Sequence, residues 1–488
     1  KRIGMMPSSP PSLPRAFPLM VAAAAALILI HLALAILSTE FGSHNTLENK
    51  PIVALVALEL LAGAVWLAAV HWGRRAAASR AALLAAVVVG IILRATMLFS
   101  TPMLEDDYFR YLWDGAVTVN GINPYRYAPQ QVIDTPDAVP PLLRRLARES
   151  GEVIECINYP SVRTIYPPAA QVVFAATYLL GPWSILSWRL VLALFDAAVL
   201  VMLFAALREL KLPPLLVVVY WWNPLVVKEI FNSGHMDVIS LPFTLAALLL
   251  AVRDRPFSGA AMLAVGAATK LWPVVALPHL LARLRRNVPN LASAAALFAL
   301  VFGALSWPIL FTSFDPESGF RAYGTSWERN DALFMTLSWI VKSLLTVASI
   351  DPGWAALVSR ALVCAALAAW LLLLIRKGAS SATDLWEHCL LSVAALFLLS
   401  PTQFPWYYVW VIPFLVIRPR LSLLVLSALL PIFNLSYYFA IRGHVEFFYN
   451  YVVWLQYVPV WALLVWEWTA ENRSAVPRGG DLTRRQDT

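Results

Sequence analysis

Uninterrupted apolar runs of bilayer length decide what this chain can be. Residues 18–37, 51–71, 81–99 and 291–311 are apolar on every side, and about 20 such residues span membrane hydrocarbon as a helix. A soluble helix would instead show one apolar stripe and one polar face. In lipid every backbone N–H and C=O must be satisfied within the protein, so these runs read as transmembrane α-helices. The chain as a whole is 60% hydrophobic and 14% charged, beyond the roughly 45–50% apolar content of soluble domains. The expected fold class is an all-α polytopic membrane protein. The first run follows Arg15 in the manner of a secretory signal, but its core is long and no small-residue cleavage site precedes the next run. It reads as a retained helix.

The formal net charge of +8 would suit a nucleic-acid binder if it were concentrated, but Lys and Arg stand in small clusters beside apolar runs. That distribution marks membrane topology and argues against nucleic acid as a partner. Anchors at Arg15, Arg74–Arg75, Arg208 and Lys211, Arg253 and Arg255, Arg283 to Arg286, Arg376–Lys377 and Arg418 to Arg420 define the cytoplasmic side. Starting inside, three spans carry the chain out, so the polar stretch 100–165 lies outside. Only one net crossing then fits between 166 and the anchor at Arg208. The run 184–207 takes it, and 166–180, between Tyr166-Pro167-Pro168 and Gly181-Pro182, is interfacial or re-entrant. By the same parity, 257–283 is a hairpin of two short helices around Thr269-Lys270-Leu271-Trp272-Pro273, and 332–349 lies along the interface. The spans 214–231, 236–252, 353–376, 384–400, 404–417, 421–440 and 450–468 complete about twelve full crossings, or about 12–14 helices with the hairpin. Both termini fall in the cytoplasm. Half-spanning backbone at membrane depth must be buried in protein or line a wet cavity, so three such segments predict a cavity.

The division expected is a cytoplasmic disordered tail over 1–16, an N-terminal transmembrane hairpin over 17–80, a catalytic membrane domain over 81–469 with outer loops 100–165 and 312–331, and a disordered tail over 470–488. Three cysteines, Cys156, Cys364 and Cys389, give no disulfide framework and no zinc pattern.

Parity gathers the unusual polar residues on the outer face. In Glu105-Asp106-Asp107-Tyr108-Phe109-Arg110-Tyr111-Leu112-Trp113-Asp114, Asp107, Arg110, Tyr111 and Asp114 share one helix face, with Phe109 and Trp113 beside it. The carboxylates can accept a proton from a sugar hydroxyl, and Arg110 can pair with an anion or hold an acid ionised; a solvated interfacial helix would show the same pattern. Arg94, within the third span, either snorkels to the interface or meets a phosphate. Lys270, between two apolar half-helices, needs a wet cavity or an anion such as a lipid phosphate. His235 and Asp237 can form a proton relay, a hydrogen-bonded pair or part of a metal site. No dedicated metal site is expected, although the spacing leaves room for one divalent cation shared with Asp106 and Asp107. Trp406 and Tyr407 suit an interfacial belt or a surface on which a sugar ring stacks.

In order and spacing, five stretches over roughly residues 81–440 resemble the GT-C superfamily of polytopic glycosyltransferases, especially the bacterial polyprenyl-phosphate-mannose-dependent mannosyltransferases. They are Asp106-Asp107 through Gly121-Ile122-Asn123-Pro124-Tyr125; Tyr166-Pro167-Pro168; Asn223-Pro224-Leu225 through Gly234-His235-Met236-Asp237; Ala268-Thr269-Lys270-Leu271-Trp272-Pro273; and Ser400-Pro401 through Pro405-Trp406-Tyr407-Tyr408. The resemblance implies a GT-C-like bundle with juxtamembrane helices in the first outer loop, sited in a bacterial plasma membrane. It implies inverting transfer of one sugar, without cofactor, from a polyprenyl-phosphate donor to an extracytoplasmic glycan or lipid acceptor. An acidic residue of that loop is then the general base, Asp107 first and Asp106 second. Lys270, Arg110 and Arg94 would hold donor phosphate, and Tyr111, Trp113, Asp114, His235, Asp237, Trp406 and Tyr407 sugar or acceptor. Here two spans precede the loop, which in relatives follows the first, and Gln403-Phe404 stands where some relatives carry histidine. A transporter or flippase would share the many spans, but would place its charges near the midplane and show repeated halves; a non-catalytic envelope-assembly protein is the other alternative.

Overall fold

The structure is a computed structural model describing residues 15–42, 45–311 and 317–475. Its secondary structure there is helical apart from a single bridge between Arg329 and Thr402. The expected tail over 1–16 lies outside the described residues except for Arg15 and Ala16, as does 476–488 of the C-terminal tail. The last helix, Trp454–Ala475, continues into the region expected to be that tail.

Nine helices are long and apolar enough to cross a membrane, and Pro214–Trp221 with Pro224–Asn232 makes a tenth if the bent pair is one span. Length alone thus supports fewer crossings than the twelve expected. The difference falls on 236–252 and 404–417, where short helical turns and proline replace a continuous helix: Met236–Ser240 leads into Leu241–Val252, and Pro405–Trp410 into Ile412–Ile417. The expected half-spans appear as Pro168–Leu180, the pair Pro256–Thr269 and Trp272–Ala282, and Ala332–Val347. At about 1.5 Å per residue the 13-residue helix Pro168–Leu180 reaches only part way through hydrocarbon.

Helix burial separates centre from rim. The spans Ala382–Leu399 and Leu421–Ile441 are 56% buried inside the protein, whereas Val288–Ile309 and Pro352–Lys377 are 11% buried and face outward along most of their surface. The N-terminal hairpin packs into the centre: Trp66 donates to the Val218 carbonyl at 3.3 Å, and Asn434 donates to Glu59 at 2.9 Å.

The bend at residues 222–224 organises the centre. Pro224 has no N–H and Asn223 caps the restarted helix through the Val226 N–H, so the Trp221 carbonyl leaves the helical ladder. Arg94 satisfies it, donating at 2.6 Å, and pairs with Asp196 at 2.5 Å. Its guanidinium lies 3.4 Å from the centre of the Trp221 ring, and Tyr220 donates to the other Asp196 oxygen at 2.7 Å. Gly90 makes this possible, since a Cβ there would collide with the Trp221 indole. Arg94 therefore neither snorkels nor faces a phosphate. It turns inward because a broken helix and a buried carboxylate offer it partners.

Outside the spans, Asp107–Val119 begins the outer layer, followed by Pro129–Asp134, Pro141–Glu149 and Glu152–Glu155. The first packs against Pro168–Leu180 at Gly115, where any Cβ would meet the Phe174 carbonyl. This close approach fixes the depth at which Asp107 sits.

Removing one partner of a buried ion pair strands the other charge, a loss of about 3–5 kcal/mol, whereas apolar replacement of both is often nearly neutral. Arg94→Leu is therefore expected to lower stability by about that amount and Arg94→Leu with Asp196→Leu by far less, as read by thermal unfolding of detergent-solubilised protein.

Candidate active site

A cavity of about 810 Å³ opens where the outer layer meets the broken helices. On one wall stand Asp106 and Asp107, at the start of Asp107–Val119, where the helix dipole favours negative charge. The Asn158 amide bridges them, donating to Asp106 at 2.7 Å and to Asp107 at 2.8 Å. The Tyr111 and Tyr166 hydroxyls approach the other Asp107 oxygen at 3.3 and 3.5 Å. Burial pushes both phenols well above their ordinary range, so they stay protonated and act as donors.

The two carboxylates are driven apart. Burial and the adjacent Asp107 charge raise Asp106 to about 6. Burial also pushes Asp107 upward, but the His235 contact, the Asn158 amide and the Lys270 charge outweigh it and hold this carboxyl below its ordinary value. One wall therefore carries a group that stays ionised and a neighbour that titrates near neutrality.

Facing this wall, Lys270 is extended between Pro256–Thr269 and Trp272–Ala276, at the tip of the hairpin. Its ammonium donates to Asp237 at 2.5 Å and lies 4.4 Å from the centre of the Tyr407 ring. Trp410 donates to the same Asp237 oxygen at 2.6 Å. With 17% of its side chain accessible, Lys270 keeps donors for the cavity, because an ammonium has three. Trp406 is stacked between His235 and Phe404, with centroid distances of 4.0 and 4.2 Å. At the cavity mouth Arg329 is fixed through its backbone, which donates to Pro401 at 3.0 Å and accepts from Gln403 at 2.9 Å.

Of the residues singled out in the sequence, Asp106, Asp107, Tyr111, Lys270, Trp406 and Tyr407 line the cavity. His235 and Asp237 stand immediately behind it, each without accessible surface. The others lie elsewhere. Arg110 pairs with Asp114 at 3.1 Å and donates to the Val162 carbonyl at 3.0 Å, while Gln171 donates to Asp114 at 3.1 Å. This set locks the outer helix to Pro168–Leu180 and offers no anion site. Trp113 stacks on Trp183, and Arg94 is held by Asp196. Sequence reasoning missed Asn158, Glu105 and Glu229. An amide 51 residues from Asp107 carries no spacing signal, whereas Glu229 was visible as an acid inside an apolar run. Among the described residues, no three His, Cys, Asp or Glu side chains come together as metal ligands.

Comparison with known proteins adds three matches. Residues 164–401 match glycosyltransferase family 87, and residues 16–148 match the family described as alpha-(1->6)-mannopyranosyltransferase, N-terminal domain. Alpha-(1->6)-mannopyranosyltransferase A of Mycobacterium tuberculosis is 25% identical over 257 residues, covering 50% of this chain. The alignment spans about half of that relative, 47% of its length. No solved structure matches.

Asn158→Leu removes the donor shared by two acids, and a carboxylate that loses a donor binds its proton more tightly. Asp106 is expected to titrate above about 6, so more of it is protonated at neutral pH. Infrared titration should show the protonated-carboxyl band persisting to higher pH in Asn158→Leu than in the wild type, and Asp106→Asn should abolish that difference.

Proposed function

The chain belongs with the GT-C-type mannosyltransferases, and from that premise we propose that it moves one mannose from a polyprenyl-phosphate donor to a glycan or lipid acceptor. Transfer takes place on the extracytoplasmic side of a bacterial plasma membrane, with both termini cytoplasmic, and inverts the anomeric centre. The observation that carries this reading is the single cavity in which Asp107 and Lys270 occupy facing walls, one an ionised acid and the other a cation with donors to spare.

The chemistry follows from charge. An acceptor hydroxyl on the Asp107 side attacks the anomeric carbon as the bond to phosphate oxygen breaks, and its proton passes to Asp107. The electron pair of the broken bond stays on the phosphate, and Lys270 stabilises the charge developing there. One displacement from the opposite face inverts the centre. Trp406 and Tyr407 give the sugar ring apolar surfaces, while Leu271, Val275 and Phe397, also on the cavity lining, suit the hydrocarbon of the donor. The relative's name supports mannose and a glycan acceptor, and the membrane spans support a lipid-linked donor.

Purified protein supplied with a panel of radiolabelled polyprenyl-phosphate sugars and a membrane extract should transfer mannose. Asp107→Asn should reduce the rate by about 10²–10⁴-fold, the usual contribution of a general base. Movement of the lipid-linked sugar across vesicles without transfer would overturn the reading in favour of a flippase.

The pH profile separates the two acids. A carboxyl held low is active as a base above its depressed value and lost only below it. With Asp107 as base, the acid limb falls below the ordinary carboxylate range and shows no inflection near 6. A limb near 6 that vanishes in Asp106→Asn would move the role to Asp106.

A further inference from the structure

A buried line of ionisable groups runs inward from Asp107 and is left unused by this chemistry. His235 lies flat on Trp406, with planes 11° from parallel, which fixes the plane of its ring. Its Nδ1 is 3.7 Å from the Asp107 carboxylate, and its Nε2 is 3.3 Å from the Glu229 carboxylate. Neither ring nitrogen has a hydrogen-bond partner of good geometry, and neither does the Glu229 oxygen that faces it. The other Glu229 oxygen accepts from Lys228 at 3.2 Å, within a buried pair.

The backbone is built to hold this arrangement. Glu229 sits in the widened turn Lys228–Asn232, a form of helix that gathers at functional sites. Its carbonyl accepts from the His235 N–H at 2.9 Å. Gly234, at φ 74°, turns the chain between them through a conformation that favours glycine. An imidazole between two carboxylates satisfies both only when both nitrogens carry protons. The contacts are long by hydrogen-bond standards, as is common in catalytic sites before substrate tightens them.

We propose that His235 is a positioning residue: held doubly protonated between Asp107 and Glu229, it orients the Asp107 carboxylate and keeps it ionised for attack. Glu229 acts one step removed, supplying the negative charge that retains the second proton on His235. The charged groups around the imidazole are Asp107 and its neighbour Asp106 on the outer helix, Glu229 and Lys228 in the widened turn, and the Lys270–Asp237 pair at the hairpin. The inference rests on Asp107 being the base.

The experiment is the pH profile of sugar transfer by full-length detergent-solubilised protein. His235→Phe keeps the stack on Trp406 but loses both charge and donor. It should move the acid limb up by at least one pH unit, a tenfold or greater loss of rate near pH 4, with recovery at high pH and little change in KM. Glu229→Gln, which does not touch Asp107, should shift the same limb in the same direction. His235→Gln keeps a donor without charge and should fall between them; it also reads the limb if the phenylalanine variant does not fold. A limb in its wild-type place in folded His235→Gln and Glu229→Gln proteins overturns the inference, as does an equal loss of rate at every pH. Full activity in Asp107→Asn would instead overturn the base assignment on which it rests.

Discussion

Backbone and charge that cannot reach water must find partners inside the protein, and the site depends on how this chain meets that requirement. Each broken helix frees polar groups at membrane depth. At the bend after Trp221 the freed carbonyl takes Arg94, and Arg94 requires Asp196. At the hairpin tip the interrupted helix exposes Lys270, which takes Asp237. In the widened turn Lys228 takes Glu229. The interruptions that would weaken a membrane helix are thus matched one by one, and two of the three matches abut the cavity.

The matching leaves an imbalance where it is useful. Lys228 and Lys270 each have an acid beside them, but Asp106 and Asp107 share a neutral amide in place of a full cation. Two carboxylates side by side cannot both ionise freely. Asp107 therefore takes the favourable contacts, and Asp106 is left with the raised value. The division is electrostatic in origin, and it makes the outer wall proton-accepting while the opposite wall stays cationic.

Much of this was legible in the sequence because hydropathy, proline and charge act locally. Parity located Lys270 at a hairpin tip from its flanking prolines and basic anchors, and it placed Asp106 and Asp107 in an outer loop that folds into short helices. It treated 404–417 as a span because the stretch is apolar, although Pro405 and Pro413 break it into a turn and a six-residue helix. Arg94 was misjudged for a different reason. A charge in a span has three outlets, namely the interface, a ligand or another span, and the acid at Asp196 in the next span was the available clue to the third. Arg110 and Asp114 share a helix face as expected, but the face turns toward Gln171 and not toward the cavity. Helix periodicity gives which residues are neighbours; what lies opposite them is a tertiary fact. Asn158 had no local signal at all.

The cavity lining also bears on which end of a substrate enters where. Lys270 stands between an aromatic surface, Tyr407 and Trp410, and the aliphatic residues Leu271 and Val275 that follow it on the hairpin. An amphiphile with an anionic head fits this order, its chain along the aliphatic residues and its head at the ammonium, because apolar burial and charge pairing are satisfied together. A fully hydrated anion gains only the second term and gives up its water to reach a cation already paired with Asp237. The same site therefore discriminates between a phosphate carried on a hydrocarbon chain and one that is free, and it does so through the pairing that membrane burial required in the first place.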